Sequence, residues 1–501
     1  MIGDRLEGGR LRNTASPIWV NLSGRAHMEY RPLTAVWEVT MGCNMRCGHC
    51  GSSCEEPLPG ELDTQEALSL VDQIADLGLR WITLSGGEPL IREDLPLLIE
   101  KFVSRSVAVN VISNGWLIDS DMAQTLKACG VSTVAISVDG TEKVHDSIRK
   151  PGSFQRVKEA VTHLKRAKVR VGAVTTISRK NMSILPRLRR ILVDMGVDLW
   201  QVQLGQPMGN LKESPDWLIR PEQVLDIIDF CSETAMEGEI KIFPADCIGY
   251  YTEKEVMIRQ QSGAGATAAI WSGCSAGIRN FGILHNGNIL GCTSIREKSF
   301  IEGNIKDQPL SHIWSKPEGF AWSRNMSRAQ LQGDCAICIY ASKCLGGCSN
   351  TRLTMNGDLY SENLYCAYNV SLKRLREYLL QETDVQWLIT QAEDSLANHE
   401  FQTAAFLTDR ALMLHPDEKK ALAIKGFAEF MCGNYALCEN ANRAVLELDP
   451  NDTYAMKGLG LALHKQGDSA SGLEYLEKAA KMTNYADADI LNDLEFVRRE
   501  I

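Results

Sequence analysis

Between residues 33 and 235, short apolar runs rich in Val, Ile and Thr alternate with longer stretches whose apolar positions recur every three or four residues. The runs at 35–39, 81–84, 107–112, 133–138, 170–177 and 199–204 predict strands, and 64–77, 95–104, 121–129, 154–167 and 185–195 carry the helical period. Six strands alternating with helices of this length predict an α/β domain on a parallel sheet with right-handed crossovers. Ahead of it, residues 1–32 are polar and without a period, an N-terminal arm. A helix at 221–237 leads into a bridging segment, 236–272, which has a possible strand at 239–243 and a small-residue run at 261–269 that reads as a linker or lid. A cysteine-rich domain is expected over 273–380 and a different pattern from 384 to 501. There, Leu414-His415-Pro416-Asp417 and Leu448-Asp449-Pro450-Asn451 lie 34 residues apart, and Gly426 corresponds to Gly460 and Ala421 to Ala455. The spacing predicts three helix pairs, at 384–415, 418–449 and 452–483, and a closing helix at 486–499.

Composition changes this picture little. With 501 residues, 44% hydrophobic and 23% charged, the chain is predicted to fold as two to four globular domains. A net charge of −10 gives no reason to expect nucleic acid or an anionic membrane as partner. No run of apolar residues is long enough to span a bilayer, and the start has no signal-peptide core, so a cytoplasmic location is expected. The 16 cysteines stand at metal-ligand rather than disulfide spacings, which points to a reducing, anaerobic compartment.

The first strand delivers the chain into a loop with Cys43, Cys47 and Cys50 at C-x3-C-x2-C spacing. Three sulfurs this close can wrap one corner of a cluster. Iron–sulfur clusters normally take four thiolates, so three leave a distant fourth ligand or an open iron. A zinc knuckle and plain packing compete, although zinc sites usually pair C-x2-C units. After the second strand, Gly86-Gly87-Glu88-Pro89 lets backbone approach a ligand closely and offers a carboxylate to an ammonium group. Ser113 and Asn114 follow the third strand. Ser137 and Asp139 share a face at the end of the fourth, suited to ribose hydroxyls. Arg149 offers a planar fork to a carboxylate, or else forms a surface ion pair; His145 reads as structural. A second constellation comprises Cys274, Cys292, Cys335, Cys338, Cys344, Cys348 and Cys366, with an Asn286-Gly287 hairpin signal between the first two. A zinc ribbon would explain Cys335 and Cys338 but neither the hairpin pair nor the outlying Cys366.

On Cys43, Cys47, Cys50 and Gly86-Gly87-Glu88-Pro89, the chain resembles the radical S-adenosylmethionine enzymes. The resemblance implies a partial (β/α)6 TIM barrel with its chemistry at the strand carboxyl ends. It also implies a 4Fe-4S cluster on the three cysteines, with S-adenosyl-L-methionine chelating the fourth iron. Cofactor contacts then fall to Gly86, Gly87, Glu88, Pro89, Ser113, Asn114, Ser137, Asp139, Arg149 and His49, with the turn 206–210 closing the site beside the adenine. The later cysteines resemble the SPASM extension of peptide-modifying members, which implies two auxiliary 4Fe-4S clusters. Cys335, Cys338, Cys344 and Cys366 would hold one, and Cys274, Cys292 and Cys348 the other. Relatives supply its fourth ligand from just ahead of the first of these cysteines; residues 268–273 contain none, leaving Cys247 or an open site. Cys54, Cys129, Cys231, Cys432 and Cys438 read as buried or incidental thiols. The 34-residue period resembles tetratricopeptide repeats, which commonly hold a peptide on their concave face; an inert or dimerising appendage is the alternative.

These resemblances imply a maturase that abstracts hydrogen from a side-chain carbon of a ribosomal peptide and forms an oxidative cross-link. Its electrons would come from a flavodoxin- or ferredoxin-type donor. Some relatives carry a leader-binding domain ahead of the cluster loop; the thirty-odd residues here are too few for one, so the repeat array is expected to hold the substrate. A sulfatase-maturing enzyme is disfavoured because Thr293 follows Cys292 where those enzymes carry an aspartate. A cofactor-biosynthetic enzyme and a non-catalytic scaffold remain as alternatives, and no catalytic side chain is assigned.

Overall fold

A computed structural model describes residues 30–245, 247–262 and 271–501. The expected arm up to residue 29 and nearly all of the expected linker or lid lie outside these residues. Strands β1 (Thr34–Thr40), β2 (Trp81–Gly86), β3 (Ala108–Ser113), β4 (Thr133–Ser137), β5 (Arg170–Ile177), β6 (Leu199–Leu204) and β7 (Lys241–Pro244) pair in parallel, each with the next. The first six match the predicted strands, and β7 turns the possible strand at 239–243 into a seventh parallel member. Parallel strands covered by helices bury both faces; Trp37, Ile82, Val109, Val134, Val171 and Trp200 are all fully buried.

The helices Thr64–Asp76, Leu95–Ser104, Ser120–Ala128, Ser153–Arg166 and Leu185–Asp194 return the chain between strands. The first is fixed by a reciprocal cap: Asp63 accepts from Glu66 N–H at 2.8 Å, and Glu66 accepts from Asp63 N–H at 3.0 Å. A seven-residue helix, Glu142–Ile148, was not expected; it is too short to show a period and buries only His145 and Ile148.

The cysteine-rich region joins the same sheet. Strand β8 (Asn280–Ile283) pairs in parallel with β1, β9 (Asn288–Leu290) folds back on β8 across the Asn286-Gly287 turn, and β10 (Ile301–Asn304) pairs with β9. The sheet order is therefore β10-β9-β8-β1-β2-β3-β4-β5-β6-β7. Beyond it, the helices Asp334–Ile337, Ala341–Cys344, Ser349–Asn356 and Ala367–Leu379 carry Cys335 and Cys344 and are flanked by Cys338, Cys348 and Cys366.

The C-terminal region is all-helical. Antiparallel pairs Val385–Ala397/Phe401–Leu414, Lys419–Met431/Tyr435–Leu448 and Thr453–Lys465/Ser469–Met482 precede Ala488–Glu500, and successive pairs begin 34 residues apart. The array is anchored to the cysteine-rich domain. Arg328 donates to Asn434 Oδ1 at 2.6 Å and to the Cys432 carbonyl at 3.2 Å, Tyr368 donates to Gln402 Oε1 at 3.1 Å, and Arg376 stacks 3.8 Å over the Phe406 ring. Gly460 marks a helix crossing where an added Cβ would stand 2.7 Å from the Gly472 carbonyl oxygen. Gly460→Leu is expected to destabilise that pair by about 1–3 kcal/mol. Hydrogen exchange should accelerate across 453–482 and stay unchanged in β1–β6.

Candidate functional site

The cysteine loop is gripped from three sides at the carboxyl ends of the parallel strands. From β2, Gly87 N–H donates to the Thr40 carbonyl at 2.8 Å and Glu88 N–H to the Gly42 carbonyl at 2.9 Å. A Cβ on Gly87 would run into the Gly42 carbonyl oxygen, and one on Gly86 into that of Thr40, so this approach requires two glycines. From the turn after β6, Asn210 donates to the Cys50 carbonyl through its N–H at 2.8 Å and to the Cys47 carbonyl through Nδ2 at 2.9 Å. From the helix after β4, the Ile148 carbonyl accepts from Gly48 N–H at 2.9 Å.

Two buried carboxylates organise what surrounds the thiols. Glu88 is 0% exposed and accepts from Ser113 Oγ at 2.8 Å, Asn114 N–H at 2.7 Å and Leu90 N–H at 3.2 Å, the last within the turn that Pro89 begins. Burial pushes its carboxyl up to about 7, against these hydrogen bonds. Three donors leave one acceptor site on the carboxylate unfilled. Asp139 is also 0% exposed. Its Oδ2 takes His49 Nε2 at 2.8 Å and Arg149 Nε at 2.5 Å, and its Oδ1 accepts from Thr176 N–H at 3.0 Å. Burial alone would raise its pKa, but Arg149 and then His49 outweigh that and hold it well below the carboxylate range. As on Glu88, three protein donors leave one acceptor site on the Asp139 carboxylate, which also positions His49 and Arg149. Ser137, two residues earlier, is buried at the end of β4. His145 is structural, its Nδ1 accepting from Asp139 N–H at 3.1 Å and burial lowering its pKa to about 4.

The residues present fit an anionic iron–sulfur group. Arg149 Nη1 lies 3.7 Å from Cys47 Sγ, and Asn114 Nδ2 lies 4.0 Å from Cys43 Sγ. Burial pushes the Cys43 thiol up to about 11, so its ionised form needs a nearby cation. Cys335, Cys338, Cys344 and Cys366 line one small cavity together with Tyr250, Tyr251, Tyr340 and Tyr368. Burial raises Cys338 to about 11 and Cys344 to about 12. Cys348 and Cys366 each cap a helix N-terminus, Ser349–Asn356 and Ala367–Leu379, whose positive ends favour anionic sulfur. Cys247, on the turn after β7, accepts from Leu204 N–H at 3.3 Å. It acts electrostatically on Cys348, as does Cys274, and Cys292 stands just past β9.

Two features escape sequence reasoning. Glu38, on β1, is buried beside Ser52 and pairs with Arg296 from beyond Cys292, tying the cysteine-rich domain to the mouth of the site. The only sequence signal is a lone acid inside an apolar strand. Cys54, expected as a buried or incidental thiol, is buried, and it lies beside Cys50 as a hydrogen-bond partner that lowers the Cys50 pKa.

The fold and site define a class. A sequence model of the radical SAM superfamily matches residues 37–181, and one of the SPASM iron–sulfur cluster-binding domain matches 274–339. The chain is 30% identical over 345 residues to an AdoMet-dependent heme synthase of Nitratidesulfovibrio vulgaris, spanning 66% of this chain and 91% of that protein. An AdoMet-dependent heme synthase of Methanosarcina barkeri is 29% identical over 69% of this chain and 99% of its own. Streptococcus suis SuiB, solved with S-adenosylmethionine, shares the fold at a TM-score of 0.54 and 15% identity, over 67% of this chain and 77% of SuiB. The chain belongs to the radical SAM superfamily and carries a SPASM domain. It is a radical SAM enzyme that binds S-adenosylmethionine, a 4Fe-4S cluster and auxiliary iron–sulfur clusters.

If the last acceptor site of Glu88 receives the cofactor amine, protonation below pH 7 removes it. Cofactor affinity of the iron-loaded enzyme should then fall about tenfold per pH unit below 7 and level off above. Glu88→Gln should bind more weakly and lose that slope; calorimetric titration from pH 5.5 to 8.5 decides.

Proposed function

We propose that this enzyme oxidises a side chain of a peptide or protein, forming a cross-link, and that the helical array holds the substrate. The observation that carries this reading is the array's attachment to the cysteine-rich domain through Arg328, Tyr368 and Arg376. Both family matches end before it, and the heme synthases leave about a third of this chain unmatched. The same fold in SuiB has been solved with the precursor peptide SuiA, at 15% identity and a TM-score of 0.51.

When bound, S-adenosylmethionine and its cluster would supply radical chemistry able to take hydrogen from an unactivated carbon. The chain's own part is to bind, orient and exclude water. Cys43, Cys47 and Cys50 hold the cluster, Glu88 accepts from the cofactor amine, Arg149 pairs with its carboxylate while Asp139 fixes the guanidinium, and Gly86, Gly87, Ser113, Asn114, Ser137 and His49 complete the pocket. The auxiliary clusters would accept the electron left on the substrate. Cys335, Cys338, Cys344 and Cys366 hold one, and Cys274, Cys292, Cys348 and Cys247 the other. A flavodoxin- or ferredoxin-type protein supplies the first electron. Among the described residues, no helix is long and apolar enough to cross a membrane.

A second reading, synthesis of a tetrapyrrole cofactor, is favoured by the nearly full-length match to heme synthases. Reduced enzyme incubated with S-adenosylmethionine separates the two. The peptide reading predicts hydrogen loss, by mass spectrometry, from a short peptide encoded beside the gene; formation of heme from a tetrapyrrole precursor instead would replace it. Phe427 and Tyr454 stand 53% and 56% exposed on the array. Changing both to Ala should weaken peptide binding about tenfold without altering uncoupled cofactor cleavage; unchanged binding would remove the array from the account.

A further inference from the structure

Arg352 is one of the largest fully buried side chains, at 0% exposure. It lies on Ser349–Asn356, one turn after the capping Cys348. Its Nη2 donates to Ser349 Oγ at 3.3 Å and contacts Met326 Sδ at 3.4 Å, whereas Nε and Nη1 have no hydrogen-bond partner among the described residues. Three N–H hydrogens of a buried cation are therefore left without an acceptor. Such a charge costs several kcal/mol unless something anionic faces it.

The surroundings indicate what that is. The guanidinium packs directly behind Gly346, where an added Cβ would stand 2.8 Å from its central carbon, and Gly346 lines the cavity shared by Cys335, Cys338, Cys344 and Cys366. Burial acts most strongly on the guanidinium and lowers its pKa; the opposing charges that follow are Cys335, Cys274, Cys348 and Cys344. Cys335 and Cys344 belong to one proposed auxiliary site, Cys274 and Cys348 to the other. Arg352 thus lies within electrostatic reach of both.

We infer that Arg352 is the shared counter-cation of the two auxiliary clusters, its unpartnered N–H groups facing cluster sulfur and its charge raising both reduction potentials. A cubane with four thiolates is anionic and gains a further negative charge on reduction. A fixed cation therefore favours the reduced form, and hydrogen bonds to sulfur act in the same direction. The consequence is an easier transfer of the substrate's electron into the auxiliary sites. Arg352 is a positioning and tuning residue, and the inference rests on the assignment of cysteines proposed above.

Redox titration of the reconstituted full chain, followed by electron paramagnetic resonance, tests it. Wild-type protein should hold about 12 irons; about four would remove the auxiliary clusters and the underlying assignment with them. In Arg352→Gln with full iron, both auxiliary midpoints should fall by at least about 59 mV, a tenfold loss of reduced form at fixed potential. The cluster on Cys43, Cys47 and Cys50 should not move, and Arg352→Lys should lie between. Unmoved auxiliary potentials, or a shift in one alone, would overturn the inference. Wild-type protein carrying 15N-arginine gives a readout independent of the variants' loading. Electron–nuclear double resonance should detect 15N coupling at both reduced auxiliary clusters, and its absence at either contradicts a shared cation.

Discussion

The cysteine loop depends on a backbone contact that tolerates no side chain. Gly86 and Gly87 bring the end of β2 against the Thr40 and Gly42 carbonyls, so the loop is held by main-chain hydrogen bonds and its thiols remain available. The same turn delivers Glu88, whose carboxylate captures Ser113 and Asn114 from the next strand end. One glycine pair thus sets the positions of the ligand loop, a buried carboxylate and the β3 loop together.

Charge completes the arrangement. Asp139, Arg149 and His49 form a cluster in which the buried carboxylate stays ionised because a guanidinium and an imidazole face it. Arg149 in turn approaches Cys47 Sγ. Removing one partner of such a set leaves an uncompensated buried charge, which costs more than the pair contributes when intact. The cysteine-rich domain is no separate bead. Strand β8 pairs with β1, Arg296 reaches Glu38, and Gln206 donates to Thr351 Oγ1 at 3.3 Å, so the second group of thiols is registered against the first.

Much of this was legible in the sequence because the relevant signals are local. Strand runs, helix periods, the C-x3-C-x2-C spacing and the 34-residue repeat each lie within a few dozen residues. Strand β7 was faint because four residues, Lys241–Pro244, carry too little pattern, and Glu142–Ile148 is too short to show a period. Buried charges were hidden for another reason. Nothing local shows that residues 49, 149 and 176 converge on Asp139, and Arg352 gives no sign of its burial. Cys247 comes near Cys348 only because β7 extends the sheet.

The central claim is that Cys43, Cys47 and Cys50 generate the radical. Iron-loaded, dithionite-reduced enzyme given S-adenosylmethionine under anaerobic conditions should release 5′-deoxyadenosine, and the variant with all three cysteines changed to Ala should release none. An iron-loaded wild-type enzyme that leaves S-adenosylmethionine intact, or a triple variant that still cleaves it, would contradict the account.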